Sequence, residues 1–371
     1  MFENLEIPQD IRPLDPRFGV GPSLIPNTHL QNLAKSGDQL LGTGHRKPAV
    51  RTLCSEIQDG LKNYYKLPHG YEVIMGNGGA TFLFDMIGLG LVKKKSYHYV
   101  CGEFSKKWYE SHKIIPWIEA DCHDSVYGEC TNAEDQKDAD MICCTQSETS
   151  TGVMFSSLPK VGEDTLLAVD ATSSAGQFKI DFSKVDLYFF SPQKIMASEG
   201  GLYIAILSPK ALKRAKELYE VDHYRPQVMS WKFAIENSLN NQTYNTPSIS
   251  GLFLMNEQIK LLNSLGLDAV EAQAREKYQV IKDWVESKNY LEFFVKNETY
   301  RSLSVATVNV DEKYCMEVLG EKLREQRIAY DIEGYRKLGK NQLRISLFHN
   351  ININDLIKLT KVISYAIEKE F

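Results

Sequence analysis

The stretch Leu166-Leu167-Ala168-Val169-Asp170-Ala171-Thr172-Ser173, followed after a connection by Leu187-Tyr188-Phe189-Phe190-Ser191-Pro192-Gln193-Lys194, decides how this chain reads. Each half is an apolar run that ends in polar, chemically capable residues. Such runs, repeated with helical segments between them, read as strands of a parallel sheet covered by helices. Parallel strands finish at one edge, and that edge is where ligands bind in open α/β folds. Asp170 and Lys194 therefore come to the same edge, one strand–helix–strand step apart.

The alternation extends in both directions. Strands are expected at Tyr71–Gly76, Tyr97–Cys101, Ile114–Ile118, Met141–Thr145, Leu166–Asp170, Leu187–Phe190 and Leu202–Leu207, with helices at Thr81–Leu91 and Ser105–His112. After Pro247 the pattern changes. Ser248–Leu265 and Leu267–Lys288 carry apolar residues at three- and four-residue spacing, as amphipathic helices do. Strands at Leu303–Val310 and Gln342–Leu347 with helices at Tyr314–Gln326 and Asp355–Glu370 form a smaller α+β unit. The expected fold is α/β. A mostly parallel, seven-stranded large domain, with an N-terminal segment, spans residues 1–260, and a small C-terminal α+β domain spans 261–371.

Composition supports that division, since 371 residues is long for one core. The 43% apolar and 25% charged fractions are those of an ordinary globular chain. A formal charge of −5 gives no general attraction to nucleic acid or anionic membranes, so an anionic ligand needs a local cluster of donors. No apolar run approaches the roughly 20 residues that span a bilayer. Seven cysteines, an odd count without regular spacing and with no signal-peptide pattern, predict a reducing, cytoplasmic setting. Cys143 and Cys144 lie in an apolar run and read as core. Cys122-His123-Asp124 with Cys130 lacks a second paired motif, so no metal site is expected.

Four constellations carry chemistry. Asp170 and Lys194 suit pyridoxal 5′-phosphate: a lysine amine can join the cofactor covalently, and an acid can hold its pyridine nitrogen protonated so that the ring accepts electrons. A buried Asp–Lys ion pair is the plain alternative. Gly76-Asn77-Gly78-Gly79-Ala80-Thr81 joins a strand to a helix, and free amides at a helix start can cradle a phosphate. It lacks the Gly-Lys-Ser/Thr ending of a P-loop and the last glycine of the dinucleotide fingerprint, and an ordinary tight turn would look the same. In Gly102-Glu103-Phe104-Ser105-Lys106-Lys107-Trp108 the indole could stack on a planar ring or fill the core. Finally His45-Arg46, Arg336 and Arg344 are candidate receptors for carboxylate or phosphate, or for structural ion pairs.

Taken in order, these strings resemble the phosphoserine aminotransferase family, class-V, fold-type I enzymes that use pyridoxal 5′-phosphate. The likeness covers nearly the whole chain. It rests on Phe18-Gly19-Val20-Gly21-Pro22-Ser23, Gly44-His45-Arg46, Gly76–Thr81, Gly102–Ser105, Glu148-Thr149-Ser150-Thr151-Gly152-Val153, Asp170–Ser173, Ser191–Lys194, Glu236–Leu239, Asn241–Pro247 and Tyr335-Arg336-Lys337-Leu338-Gly339.

The resemblance implies residue roles. Lys194 would bind the cofactor covalently, Asp170 would contact the pyridine nitrogen, Trp108 would stack on the ring and Thr149 would sit by its oxygen side. Ala80, Thr81 and Gln193 would hold the phosphate, with Asn245 and Thr246 reaching across from the partner of a homodimer. His45, Arg46 and Arg336 would take the substrate's distal anion, and Arg344 its α-carboxylate. The implied reaction passes the amino group of L-glutamate to 3-phosphohydroxypyruvate, giving 2-oxoglutarate and O-phospho-L-serine for serine biosynthesis. Some relatives also form 4-phosphohydroxy-L-threonine for vitamin B6. The chain departs from many relatives at Val20, Thr81 and Tyr335. The rival readings are a class-V transaminase for alanine, serine or glyoxylate, a cysteine desulfurase, and a noncatalytic phosphate-binding module. The distal arginines argue against the first of these, and the helical setting of Cys315 against the second.

Overall fold

The computed structural model describes residue 2 and residues 5–130, 138–155 and 157–370. Its centre is a seven-stranded sheet of β1 (Glu72–Asn77), β2 (Lys95–Val100), β3 (Glu119–Asp124), β4 (Met141–Thr145), β7 (Leu166–Asp170), β8 (Leu187–Phe190) and β9 (Leu202–Leu207). The two short strands β5 (Ser147–Glu148) and β6 (Val153–Met154) pair as a separate hairpin. Strand order in the large sheet is β1-β9-β8-β7-β4-β2-β3, and β9 alone runs against its neighbours. The inner strands β4, β7, β8 and β9 are buried throughout. That burial is why they read as continuous apolar runs without alternation.

Helices cover the sheet. α1 (Asn27–Leu40), α2 (Pro48–Tyr65) and α7 (Ile249–Leu265) stack together, with α2 and α7 giving Leu53, Ile57, Leu252 and Ile259 to one core. α3 (Gly79–Leu91), α4 (Glu103–Lys113), α5 (Pro209–Tyr219) and α6 (Trp231–Leu239) supply Leu83, Trp108, Ala211 and Trp231 to another. A third core lies around the antiparallel sheet β10 (Leu291–Phe293), β11 (Val305–Val310) and β12 (Gln342–Ser346), under α8 (Leu267–Glu286), α9 (Met316–Glu325) and α10 (Ile353–Glu370). Phe2, Leu5, Ile7, Phe18 and Val20 pack into this third core. Helix α8 bridges the units: Val270 belongs to the large-domain core, and Ile281 and Trp284 to the small one.

One expected strand is displaced. Ile114–Ile118 forms the turn that follows α4 rather than a strand; Ile114 is 76% exposed, while Ile115 and Ile118 pack inward. The strand is the polar segment Glu119–Asp124, which pairs only with β2 at the sheet edge. An edge strand exposes one side to water, so apolar content does not mark it.

Candidate active site

Five loops converge at the carboxyl edge of the parallel strands. Thr145 pairs with Asp170, and Asp170 with Phe189. The residues just beyond them therefore rise side by side. A cavity of about 310 Å³ opens there, walled by Gly78–Thr81 after β1, Phe104 at the start of α4, Thr149 after β5, Asp170, Thr172 and Ser173 at the end of β7, and Ser191, Gln193 and Lys194 after β8. Val20 and Gly21 close it from the N-terminal segment, and Tyr335 and Arg344 from the small domain.

Lys194 and Asp170 lie in it together, only 7% and 3% exposed. Lys194 Nζ donates to Thr149 Oγ1 at 3.1 Å and sits 5.3 Å from the centre of the Phe104 ring. Burial lowers the lysine pKa to about 8, against the opposing pull of Asp170 and Glu148. Burial pushes the Asp170 carboxyl upward, while bonds from the Thr172 amide and hydroxyl to Oδ1 and the charge of Lys194 pull it back. Gly21 approaches so closely that a Cβ there would lie 2.5 Å from Lys194 Cε, and its φ of 140° suits glycine alone.

The turn before α3 has the features of a phosphate seat. Gly78 and Gly79 take φ of 127° and 75°, a course that leaves the first amides of α3 without intrahelical acceptors. Gln193 lines the same cavity, and its Oε1 is buried without a partner. On the small-domain side Arg344 donates Nη1 to the Thr149 carbonyl at 3.2 Å, and its Nε is buried and unpaired. The open α3 amides, the unpaired Arg344 Nε and the buried lysine–carboxylate pair fit pyridoxal 5′-phosphate together with a carboxylate substrate.

Residues 115–356 match the class-V aminotransferase family. A phosphoserine aminotransferase of Corynebacterium glutamicum (strain R) is 38% identical over 368 residues, covering 98% of each chain. Another, from Nocardioides sp. (strain ATCC BAA-499 / JS614), is 38% identical over 99% of this chain and 100% of its own. The chain belongs to the phosphoserine aminotransferase family. The crystal structure of a phosphoserine aminotransferase from Cytophaga hutchinsonii superimposes with a TM-score of 0.87 at 26% identity, over 95% of this chain and 99% of that one.

Against the phosphoserine aminotransferase pattern, several residues fall elsewhere than the sequence suggested. Trp108 does not face the cavity. It is 1% exposed, stacks on Phe84 at 5.4 Å and gives its indole N–H to His112 Nε2 at 3.1 Å, so Phe84 separates it from the cavity. The aromatic at the cavity wall is Phe104. Helix α4 starts at the sheet's carboxyl edge and runs away from it, so a residue four positions on lies about 6 Å deeper. Arg336 is exposed in a short turn outside the cavity, next to Tyr335, which lines it. That turn is tied to α4 by an ion pair between Lys337 and Glu103 at 3.2 Å.

His45, Arg46, Asn245 and Thr246 also lie outside this chain's own cavity. Thr246 Oγ1 is 3.2 Å from His45 Nδ1, and Asn77 Nδ2 donates to the Thr246 carbonyl at 2.7 Å, so these residues form one patch. Glu148, quoted in the sequence motif without a role, is fully buried. Its Oε2 accepts from the amides of Phe104 and Ser105 at 3.2 and 2.9 Å, and its Oε1 from the Ser150 hydroxyl at 2.7 Å. The expected metal-poor segment Cys122–Asp124 lies in β3. The one metal-like cluster among the described residues is His98, His112 and Cys143, which packs behind Trp108.

Proposed function

We propose that this chain transfers the amino group of L-glutamate to 3-phosphohydroxypyruvate, yielding 2-oxoglutarate and O-phospho-L-serine, with pyridoxal 5′-phosphate held in the cavity at the carboxyl edge of the sheet. The observation that carries the reading is the meeting of Lys194, Asp170 and Arg344 in that one cavity. When bound, the cofactor supplies a carbonyl for covalent capture of the amine and a ring that accepts the electrons left on the substrate's Cα. Lys194 is placed to be its covalent anchor, and Asp170 its pyridine partner. Ala80, Thr81 and Gln193 take the phosphate, and Phe104 takes the stacking role expected of Trp108.

Lys194 Nζ, with its pKa lowered to about 8 by burial, is neutral often enough to take the proton from the substrate Cα and return it. Thr149 holds that amine in position through its hydroxyl. Arg344 receives the α-carboxylate with the guanidinium edge that Thr149 does not use. The distal group is a carboxylate in one substrate and a phosphate in the other, and arginine serves both; Arg336 and the His45–Arg46 patch take this part. Because that patch shares a surface with Asn245 and Thr246 outside the chain's own cavity, we assign all four to the partner's site in a homodimer. Seven cysteines, none of them in a disulfide, suit a reducing cytoplasm. Formation of 4-phosphohydroxy-L-threonine is a second reaction that the same distal receptors would accept.

A coupled assay with glutamate and 3-phosphohydroxypyruvate tests this, with Lys194→Ala as control. Ping-pong kinetics, and turnover lost with the lysine, are expected. A protein that binds the cofactor yet prefers alanine or glyoxylate as partner would overturn the assignment of the distal pocket.

A further inference from the structure

Charge bookkeeping around the cavity leaves one end without a cation. Among the described residues that line it, the cations are Lys194 and Arg344, and both bond Thr149. The phosphate seat belongs to the turn after β1, at the opposite side of the cavity wall from Thr149 after β5. Its lining side chains, Ala80, Thr81, Ser191 and Gln193, are uncharged. A helix start contributes only about half a positive charge, too little to balance a phosphate dianion withdrawn from water.

A cation reaches that turn from a neighbouring helix. Lys107 of α4 donates Nζ to Thr81 Oγ1 at 3.3 Å. Asp85, one turn further along α3, is the acid that faces the same ammonium. Lys107 lies one position before the buried Trp108, and on α4 it is exposed where Trp108 is packed. Its ammonium is therefore free to approach a ligand on Thr81 without unpacking the core.

We propose that Lys107 is a cofactor-binding residue, supplying from α4 the counter-charge for the phosphate seated on Thr81 and the α3 amides. This rests on the cofactor assignment above. The consequence is selectivity for the phosphorylated cofactor over its phosphate-free form.

The test is the dissociation constant of the unloaded protein for pyridoxal 5′-phosphate and for pyridoxal, measured on the wild type, Lys107→Gln and Lys107→Arg. Lys107→Gln should weaken the phosphorylated ligand about ten-fold and leave pyridoxal unchanged, while Lys107→Arg should retain most of the affinity. Equal affinity of wild type and Lys107→Gln for pyridoxal 5′-phosphate would overturn the proposal. So would an equal loss for both ligands, which would mark Lys107 as a packing residue. A wild type that binds neither ligand would instead overturn the cofactor assignment itself.

Discussion

Lys194 Nζ hydrogen-bonds Thr149 Oγ1 at 3.1 Å, in a cavity that keeps the lysine 7% exposed. Its ammonium form pays for leaving water, and the neutral amine accumulates as pH rises through about 8. Only the neutral amine can attack the cofactor's carbonyl. The rate at which unloaded protein captures pyridoxal 5′-phosphate should therefore climb about ten-fold per pH unit below 8 and level off above it. A stopped-flow series of absorbance traces reads this, and a midpoint near that of a free lysine would contradict the burial argument.

The same burial costs stability. The unfolded lysine titrates near 10.5 and the folded one at about 8, so the unfolded chain binds more protons between those values. Stability of the unloaded protein should then rise with pH across that window, and the whole penalty, on the order of 3 kcal/mol, is present below it. Lys194→Met keeps the volume and removes the charge. At neutral pH it should melt several degrees higher than the unloaded wild type while losing all turnover. Equal melting temperatures would show that burial does not hold the folded lysine below its unfolded pKa.

Substitution can separate the cofactor contact proposed for Phe104 from the packing contact of Trp108. Phe104→Leu should weaken cofactor binding about five-fold, the worth of an aromatic contact, with little change in melting temperature. Trp108→Leu should do the reverse: it opens a gap beside Phe84 and Phe189 and leaves His112 without its indole donor, costing about 3 kcal/mol of stability. Calorimetry and cofactor titration on the two variants would show whether the roles are divided in this way.

How far the sequence foretells the site follows from the range of each interaction. Asp170 and Lys194 are legible because each ends an apolar strand, and parallel strands share an edge. Phe104 is harder, since side-chain size favours Trp108 and only the direction of α4 relative to the sheet reverses the choice. The role of Glu148 is not legible, because the amides its Oε2 accepts come from the start of α4, 43 positions away at Ser105. The pairing of His45 with Thr246, 201 positions apart, is equally non-local. Edge strand β3 carries no apolar signal, whereas the inner strands carry a strong one.

Glu148→Gln should act on both stability and chemistry. The carboxylate accepts two amides of α4 through Oε2 and two donors of Ser150 through Oε1, and a carboxamide must turn an NH₂ toward one of those pairs. Facing donor to donor while buried costs about 2–3 kcal/mol. The lost negative charge also removes one of the groups that raise the Lys194 pKa. The pH midpoint of cofactor capture should then move below that of the wild type, a shift that a purely structural loss would not produce.

The proposed sharing of sites between two subunits predicts complementation. Arg46 is exposed beside the His45–Thr246 contact and does not line its own chain's cavity. Lys194→Ala and Arg46→Ala should each be severely impaired alone. If Arg46 serves the partner's site, a mixed dimer contains one site with both residues intact, built from the lysine of one chain and the arginine of the other. Co-expression at equal levels gives about half mixed dimers with one working site of two, and so about a quarter of wild-type activity. If Arg46 served its own chain, every site in the mixture would lack one residue or the other, and activity would stay at the level of the single variants. Differently tagged chains, purified through both tags, raise the expected recovery to about half and remove any dependence on mixing ratio.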